Sequence, residues 1–144
     1  MFRRTKKTTP KKPISRNFRP TCESLEDRLN LAGFVTAVTL GPNLYIYGDN
    51  AANVLRIEGV AAGSVEVAGV GTSLNGIANG QLAATGIQNI FMEMGNGDDT
   101  ATFVLTEING LLRFSGGNGN DSLFFGEDNR GLNFFRRVQA LVAP

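Results

Sequence analysis

The chain has 144 residues, about one domain's worth, with 42% apolar residues, 18 Gly and no Trp. It has no His and a single cysteine, Cys22. That excludes His-based acid–base catalysis, Ser-His-Asp and Cys-His nucleophiles, an intrachain disulfide, and multi-cysteine zinc or iron–sulfur sites. The net charge of +1 conceals a split: residues 1–20 carry eight basic side chains and no acidic one, whereas the remainder carries six basic against 13 acidic.

The N-terminal arm also holds Pro10, Pro13 and Pro20 and almost nothing apolar. Like charges repel and prolines interrupt regular structure, so residues 1–20 are expected to be disordered. The acidic cluster Glu23-Ser24-Leu25-Glu26-Asp27 follows, and the pattern predicts a short helix from about Ser24 to Leu31, ended by Gly33. From Phe34 onward the signals are strand-like. Leu44-Tyr45-Ile46-Tyr47 alternates aliphatic with aromatic residues. Leu55-Arg56-Ile57-Glu58 and Val65-Glu66-Val67 alternate apolar with charged ones, and Ile90-Phe91-Met92-Glu93-Met94 continues the pattern. This is the period of strands with one buried face.

Turn clusters separate these runs, and Gly48, Gly71, Gly95 and Gly117 recur at intervals of 23, 24 and 22 residues. A fixed period of this size is the mark of stacked repeats. The expected fold is therefore all-β, a short parallel β-solenoid with these glycines at the corners of successive rungs. The alternative is an antiparallel β-meander or sandwich, in which Tyr45 to Ile57 forms a hairpin turning through residues 48–53. The organisation reads as a basic leader (1–33), a Gly/Asn/Asp-rich β repeat region (34–131), and a C-terminal cap or truncated end (132–144). The last segment loses the alternation and is compatible with a short amphipathic capping helix.

The most regular feature is a pair of near-copies, Gly95-Asn96-Gly97-Asp98-Asp99-Thr100 and Gly117-Asn118-Gly119-Asn120-Asp121-Ser122, 22 residues apart. Glycine lets the backbone turn sharply, and Asp and Asn supply the hard oxygen ligands that Ca²⁺ prefers. Gly116-Gly117-Asn118-Gly119-Asn120-Asp121-Ser122-Leu123-Phe124 fits the nonapeptide G-G-x-G-x-D-x-U-x, and at this point the chain resembles the RTX (hemolysin-type) calcium-binding repeat family. The resemblance implies one weak Ca²⁺ site between the two loops. Its candidate ligands are Asn96, Gly97, Asp98, Asp99, Asn118, Gly119, Asn120 and Asp121. The upstream copy departs from the pattern, with Met94 at the first glycine position and Ala101 at the apolar one. The other reading of the same residues is a set of hydrogen-bonded corner ladders, with side chains capping neighbouring backbone groups.

Cys22-Glu23-Ser24-Leu25-Glu26-Asp27-Arg28-Leu29, after its basic stretch, is similar to the N-terminal leader signature of planctomycete surface and secreted proteins. That resemblance implies export or envelope sorting, and such leaders precede Gly-Asn-Asp-rich β repeats. By physical criteria the only apolar segment near a secretory h-region is Leu31 to Leu40, which follows three carboxylates and is too short and polar to span a membrane.

The functional expectation is a non-catalytic, secreted or cell-envelope protein of structural or adhesive type. Its partners would be envelope or extracellular matrix components, with no small-molecule substrate and no transmembrane span. Two alternatives belong to other classes. The basic arm offers a surface for nucleic acid or an anionic membrane, against which stands the acidic body. A polysaccharide-acting β-helix enzyme would draw on Asp98, Asp99, Asp121 and Arg113, but those acids fall in turn motifs.

Overall fold

The computed structural model describes residues 33–126 and 134–141. The expectations for the basic arm, the 24–31 helix and the leader signature lie outside the described residues. Among the described residues every regular element is a strand. In chain order they are β1 (Phe34–Leu40), β2 (Asn43–Tyr47), β3 (Val54–Ala61), β4 (Ser64–Gly69), β5 (Ser73–Leu74), β6 (Ile77–Ala78), β7 (Gln81–Ala84), β8 (Asn89–Glu93), β9 (Thr100–Val104), β10 (Glu107–Ser115), β11 (Ser122–Gly126) and β12 (Phe134–Leu141).

The strands form two mixed sheets, one of seven strands in the order β12-β10-β8-β2-β1-β5-β6 and one of five in the order β11-β9-β3-β4-β7. The centre of each sheet is parallel. β2, β8, β10 and β12 run side by side in one, and β3, β9 and β11 in the other. The antiparallel pairs are β1–β2, β3–β4, β4–β7 and β5–β6. A purely antiparallel meander is therefore not what forms. The Tyr45–Ile57 hairpin does not form either, because β2 and β3 lie in different sheets.

Three strand–corner–strand units follow from this topology: β2 to β3 through residues 48–53, β8 to β9 through 94–99, and β10 to β11 through 116–121. Each unit sends one strand into each sheet, and equivalent strands pair in parallel. Period-2 alternation places the apolar residues between the sheets. Leu44 and Ile46 of β2 meet Ile90 and Met92 of β8 in register, then Leu112 and Phe114 of β10, and all six are buried. On the other sheet Leu55 and Ile57 align with Ala101 and Phe103, also buried, and then with Leu123 and Phe125. Stacking like residues on like gives one continuous core, and burying each of the larger side chains contributes roughly 1.5–3 kcal/mol.

The last two units are offset by 22 residues, whereas the first two are offset by 46. The surplus is the excursion β4–β7, which extends the five-stranded sheet with β4 and β7 and the seven-stranded sheet with β5 and β6. Gly71 sits in that excursion, between β4 and β5. It is not a corner of the stack, and the expected 23- and 24-residue glycine rhythm was a coincidence of two unrelated turns. Residues 134–141 form β12, a strand paired with β10, rather than a capping helix.

Candidate functional site: the stacked corner column

The sharp turns at 94–99 and 116–121 exist because glycine occupies their left-handed positions. Gly95 and Gly117 have φ near +98° and +97°, and a Cβ on Gly117 would collide with the Gly95 carbonyl. Gly97 and Gly119 repeat the arrangement at φ +114° and +134°. These are backbone conformations that only glycine adopts without cost. The loops then pack backbone against backbone. The Asn118 amide donates to the Gly95 carbonyl at 3.0 Å and the Gly97 amide to the Asn118 carbonyl at 2.9 Å, with Asn96 and Asn118 bridged in parallel.

The first corner, 48–53, stacks on the second with a different local solution. The Asn96 amide donates to the Asp49 carbonyl at 2.9 Å, which makes Asp49, not Gly48, the counterpart of Gly95 and Gly117. Asp49 closes its own turn, where its Oδ1 accepts from the Ala51 amide at 3.1 Å, and its Oδ2 ties the corner to β1 by accepting from the Phe34 amide at 3.0 Å. Such a turn, held by an Asx side chain, does without the glycine.

Two columns of side chains run through the three corners. The outer one consists of exposed amides. Asn118 Nδ2 donates to Asn96 Oδ1 at 2.7 Å, and Asn96 Nδ2 donates to Asn50 Oδ1. The inner one is Asn53, Asp99 and Asp121. Asp99 Oδ1 accepts the Asn53 backbone N–H at 2.8 Å, and Asp121 Oδ1 accepts the Asp99 backbone N–H at 3.0 Å. All three side chains are buried. The second oxygens of the two carboxylates, and Asn53 Oδ1, have no hydrogen-bond partner among the described residues. Asp98 stands outside the column, exposed, where its Oδ1 accepts the Asn120 amide at 2.9 Å. Burial pushes the Asp99 carboxyl up to about 6, with the nearby charges of Asp121 and Asp49 adding to the rise and hydrogen bonds from Asn53 opposing it.

All eight expected ligand residues thus fall in two adjacent, in-register loops. They divide by role. Asn96 and Asn118 form the amide ladder, Gly97 and Gly119 shape the turns, Asp98 holds the Asn120 backbone, and Asp99 and Asp121 carry orphaned buried oxygens. Among the described residues no three acidic, Cys or His side chains converge. Arg113 is exposed on β10, and among the described residues no hydrogen bond or ion pair joins it to the corner acids.

Sequence reasoning missed Asn50 and Asn53, which extend the two columns into the first corner. It also missed a third column, in which Asn89 Nδ2 donates to Asn43 Oδ1 at 2.8 Å and Asn89 Oδ1 accepts the Leu111 amide at 2.9 Å. Aligning the chain at the 46-residue offset would have exposed all of them. Compared with protein-family profiles, with curated proteins and with solved structures, the chain matches none.

Proposed function

We propose that the chain is a short parallel β-solenoid serving as a non-catalytic structural or adhesive module of the cell envelope or extracellular space, with weak Ca²⁺ binding at its corner column. The observation that carries this reading is the in-register stack of three corners, each giving the same side-chain position to the same ladder. A fold in which each unit packs on its neighbours extends by stacking and presents an extended surface, which suits a scaffold.

The metal part rests on the inner column. Two buried carboxylates in successive loops, each with an oxygen lacking a partner, favour a shared cation. Asp99 and Asp121 would hold the ion, and the amide ladder would set the spacing of the loops. Neutral Asn53 in the first corner limits the charged pair to those two residues. So few charged ligands place affinity in the extracellular range, about 10⁻⁴–10⁻³ M. Nucleic acid is the weaker partner class, because residues 33–126 carry two basic side chains, Arg56 and Arg113, against eight carboxylates.

Two measurements test the reading. Millimolar CaCl₂ is expected to raise the melting temperature of the wild type and to leave Asp121→Ala unshifted, with MgCl₂ as control. An unchanged wild-type curve would reduce the column to a hydrogen-bonded ladder. Fractionation of the producing cells is expected to place the chain in the envelope or medium; confinement to the cytosol would remove the envelope assignment.

A further inference from the structure

The outward face of the seven-stranded sheet carries an aromatic arrangement that the corner column does not involve. The parallel register places Tyr45, Phe91 and Arg113 side by side on β2, β8 and β10, and Tyr47, Glu93 and Ser115 in the neighbouring row. Tyr45 stacks on Phe91 with ring centroids 5.1 Å apart and planes 15° from parallel. Tyr47 lies along the strand from Tyr45 at 6.4 Å, with planes within 3°. That separation matches the rise of two residues along a strand, so the nearly parallel tyrosine rings are offset from one another along β2.

The next row therefore has an asymmetry. Beneath Tyr45 there is a ring, Phe91; beneath Tyr47 the register puts Glu93 instead. Among the described residues no ring stacks on the corresponding face of Tyr47. A cavity of about 230 Å³ opens there, lined by Tyr45, Tyr47, Phe91, Met92, Glu93 and Arg113. Glu93 and Arg113 are exposed, and among the described residues neither is engaged in an ion pair. Tyr47 is 44% exposed despite its size.

We infer that this slot binds one pyranose unit of a neutral glycan. Its volume lies below the roughly 300–1,000 Å³ of sites for drug-sized ligands, so it takes a single ring-sized unit. The negative face of an aromatic ring attracts the polarised C–H groups on the flat side of a pyranose, and Tyr47 supplies that face. Each sugar hydroxyl is both donor and acceptor; Glu93 accepts and Arg113 donates, the complementary pair. The excess of carboxylates on the described chain repels phosphate-bearing ligands, which favours a neutral glycan over a nucleic acid. The inference names the ligand class of the adhesive reading and rests on it, but it does not involve the calcium column.

The experiment uses a property of this chain. Tyr45 and Tyr47 are its only tyrosines and it has no Trp, so intrinsic tyrosine emission reports on the slot alone. The full chain is titrated with cellohexaose, maltohexaose and chitohexaose, in EDTA and in CaCl₂, with a dodecameric oligothymidylate as the competing class. At least one hexasaccharide is expected to give a saturable change with Kd of about 0.1–1 mM, in EDTA as well as in Ca²⁺. By calorimetry, Tyr47→Ala is expected to weaken binding at least about tenfold with an unchanged melting temperature, Glu93→Gln to weaken it several-fold, and Tyr47→Phe to retain it. No saturable response to any of the three up to about 10 mM, undiminished affinity in Tyr47→Ala, or a response to the oligothymidylate alone overturns the inference. Envelope localisation and the Ca²⁺-dependent melting shift are read separately, so failure here leaves those results standing and theirs leaves this one.

Discussion

The corner stack and the excursion β4–β7 are built from the same residue types, Gly, Asn and small apolar side chains, yet they obey different rules. In the stack each residue answers to its counterpart one unit away: Asn96 to Asn118, Asp99 to Asp121, Gly95 to Gly117. In the excursion the partner is not a counterpart but a residue of the same turn or of a neighbouring strand. Asn79 Oδ1 accepts the Gly71 amide at 2.7 Å, and Asn75 grips the backbone of Ala37 through both ends of its amide. The lesson is that where the topology puts a copy of a glycine or asparagine directly alongside, one substitution is felt by two units, whereas elsewhere it is felt only by an unlike partner. Substitutions of the same kind in the two regions should therefore differ in size at glycine and in coupling at asparagine.

The largest difference is expected at glycine. Gly117→Ala places a methyl group into the Gly95 carbonyl at a φ that L-residues avoid, and no flexible side chain can yield there. A loss of about 4 kcal/mol or failure to fold is expected in urea denaturation. Gly71 also has a positive φ, +66°, but nothing lies within 4 Å of the position of its Cβ. Gly71→Ala is expected to lose only the conformational term, about 1–2 kcal/mol. Equal losses at the two sites would mean that the corner loops relax apart more easily than their packing implies.

A smaller effect is expected from protonation. The folded-state carboxyl of Asp99 is raised from 3.8 to about 6, mainly by burial. The native chain then holds that proton more tightly than the unfolded chain does. The Asp99 contribution to stability is therefore greatest at and below about pH 4, declines as pH rises through 6, and is flat above about pH 7. Asp99→Asn keeps the acceptor for the Asn53 amide and removes the charge. It is expected to be more stable than the wild type at pH 7.5 by roughly 2 kcal/mol, to keep part of that advantage at pH 4.5, and to lose it by about pH 3.5, below the unfolded-state value. Saturating Ca²⁺ should close the same gap at pH 7.5 by stabilising the wild type alone. If the variant shows no advantage at pH 7.5 without metal, the inner column does not carry an uncompensated charge.

Much of the strand content was legible because period-2 alternation is a local signal. Leu44/Ile46, Leu55/Ile57, Val65/Val67 and Ile90/Met92 are all buried, as their spacing required. The pairing of the 95–100 and 117–122 loops was legible because identical residues recur at one offset. The 46-residue offset was not, because the excursion carries Gly69 and Gly71 in its own turn and so imitates a missing corner. The first corner was further disguised by Asp49 and Ala51 standing where the later corners have glycine. β12 escaped notice because its place is set by pairing with β10, across a bulge between Ile108 and Leu111, rather than by alternation of its own. The Tyr45–Phe91 stack was invisible for a related reason: only the parallel register, not either strand alone, brings the rings together.

The smallest effect concerns the exposed amide ladder, and it isolates the coupling between units from the strength of any single bond. Asn96 is the middle member, bonded to Asn50 on one side and Asn118 on the other. Asn96→Ala breaks two side-chain hydrogen bonds in a solvated setting and is expected to lose about 1 kcal/mol, and Asn118→Ala, which breaks one, about 0.5 kcal/mol. The double variant should lose less than the sum, because the Asn96–Asn118 bond is counted in both single changes. Asn75→Ala breaks two bonds to Ala37 and strains a residue at φ +51°, so its own loss should match or exceed that of Asn96→Ala. Yet Asn75 and Asn96 share no partner, and their losses should add to within about 0.5 kcal/mol. A double-mutant cycle read by urea denaturation therefore has two required outcomes, coupling within the stack and additivity between stack and excursion. Additivity in both pairs would show that the amide column merely decorates the corners, each loop then standing on its own backbone bonds.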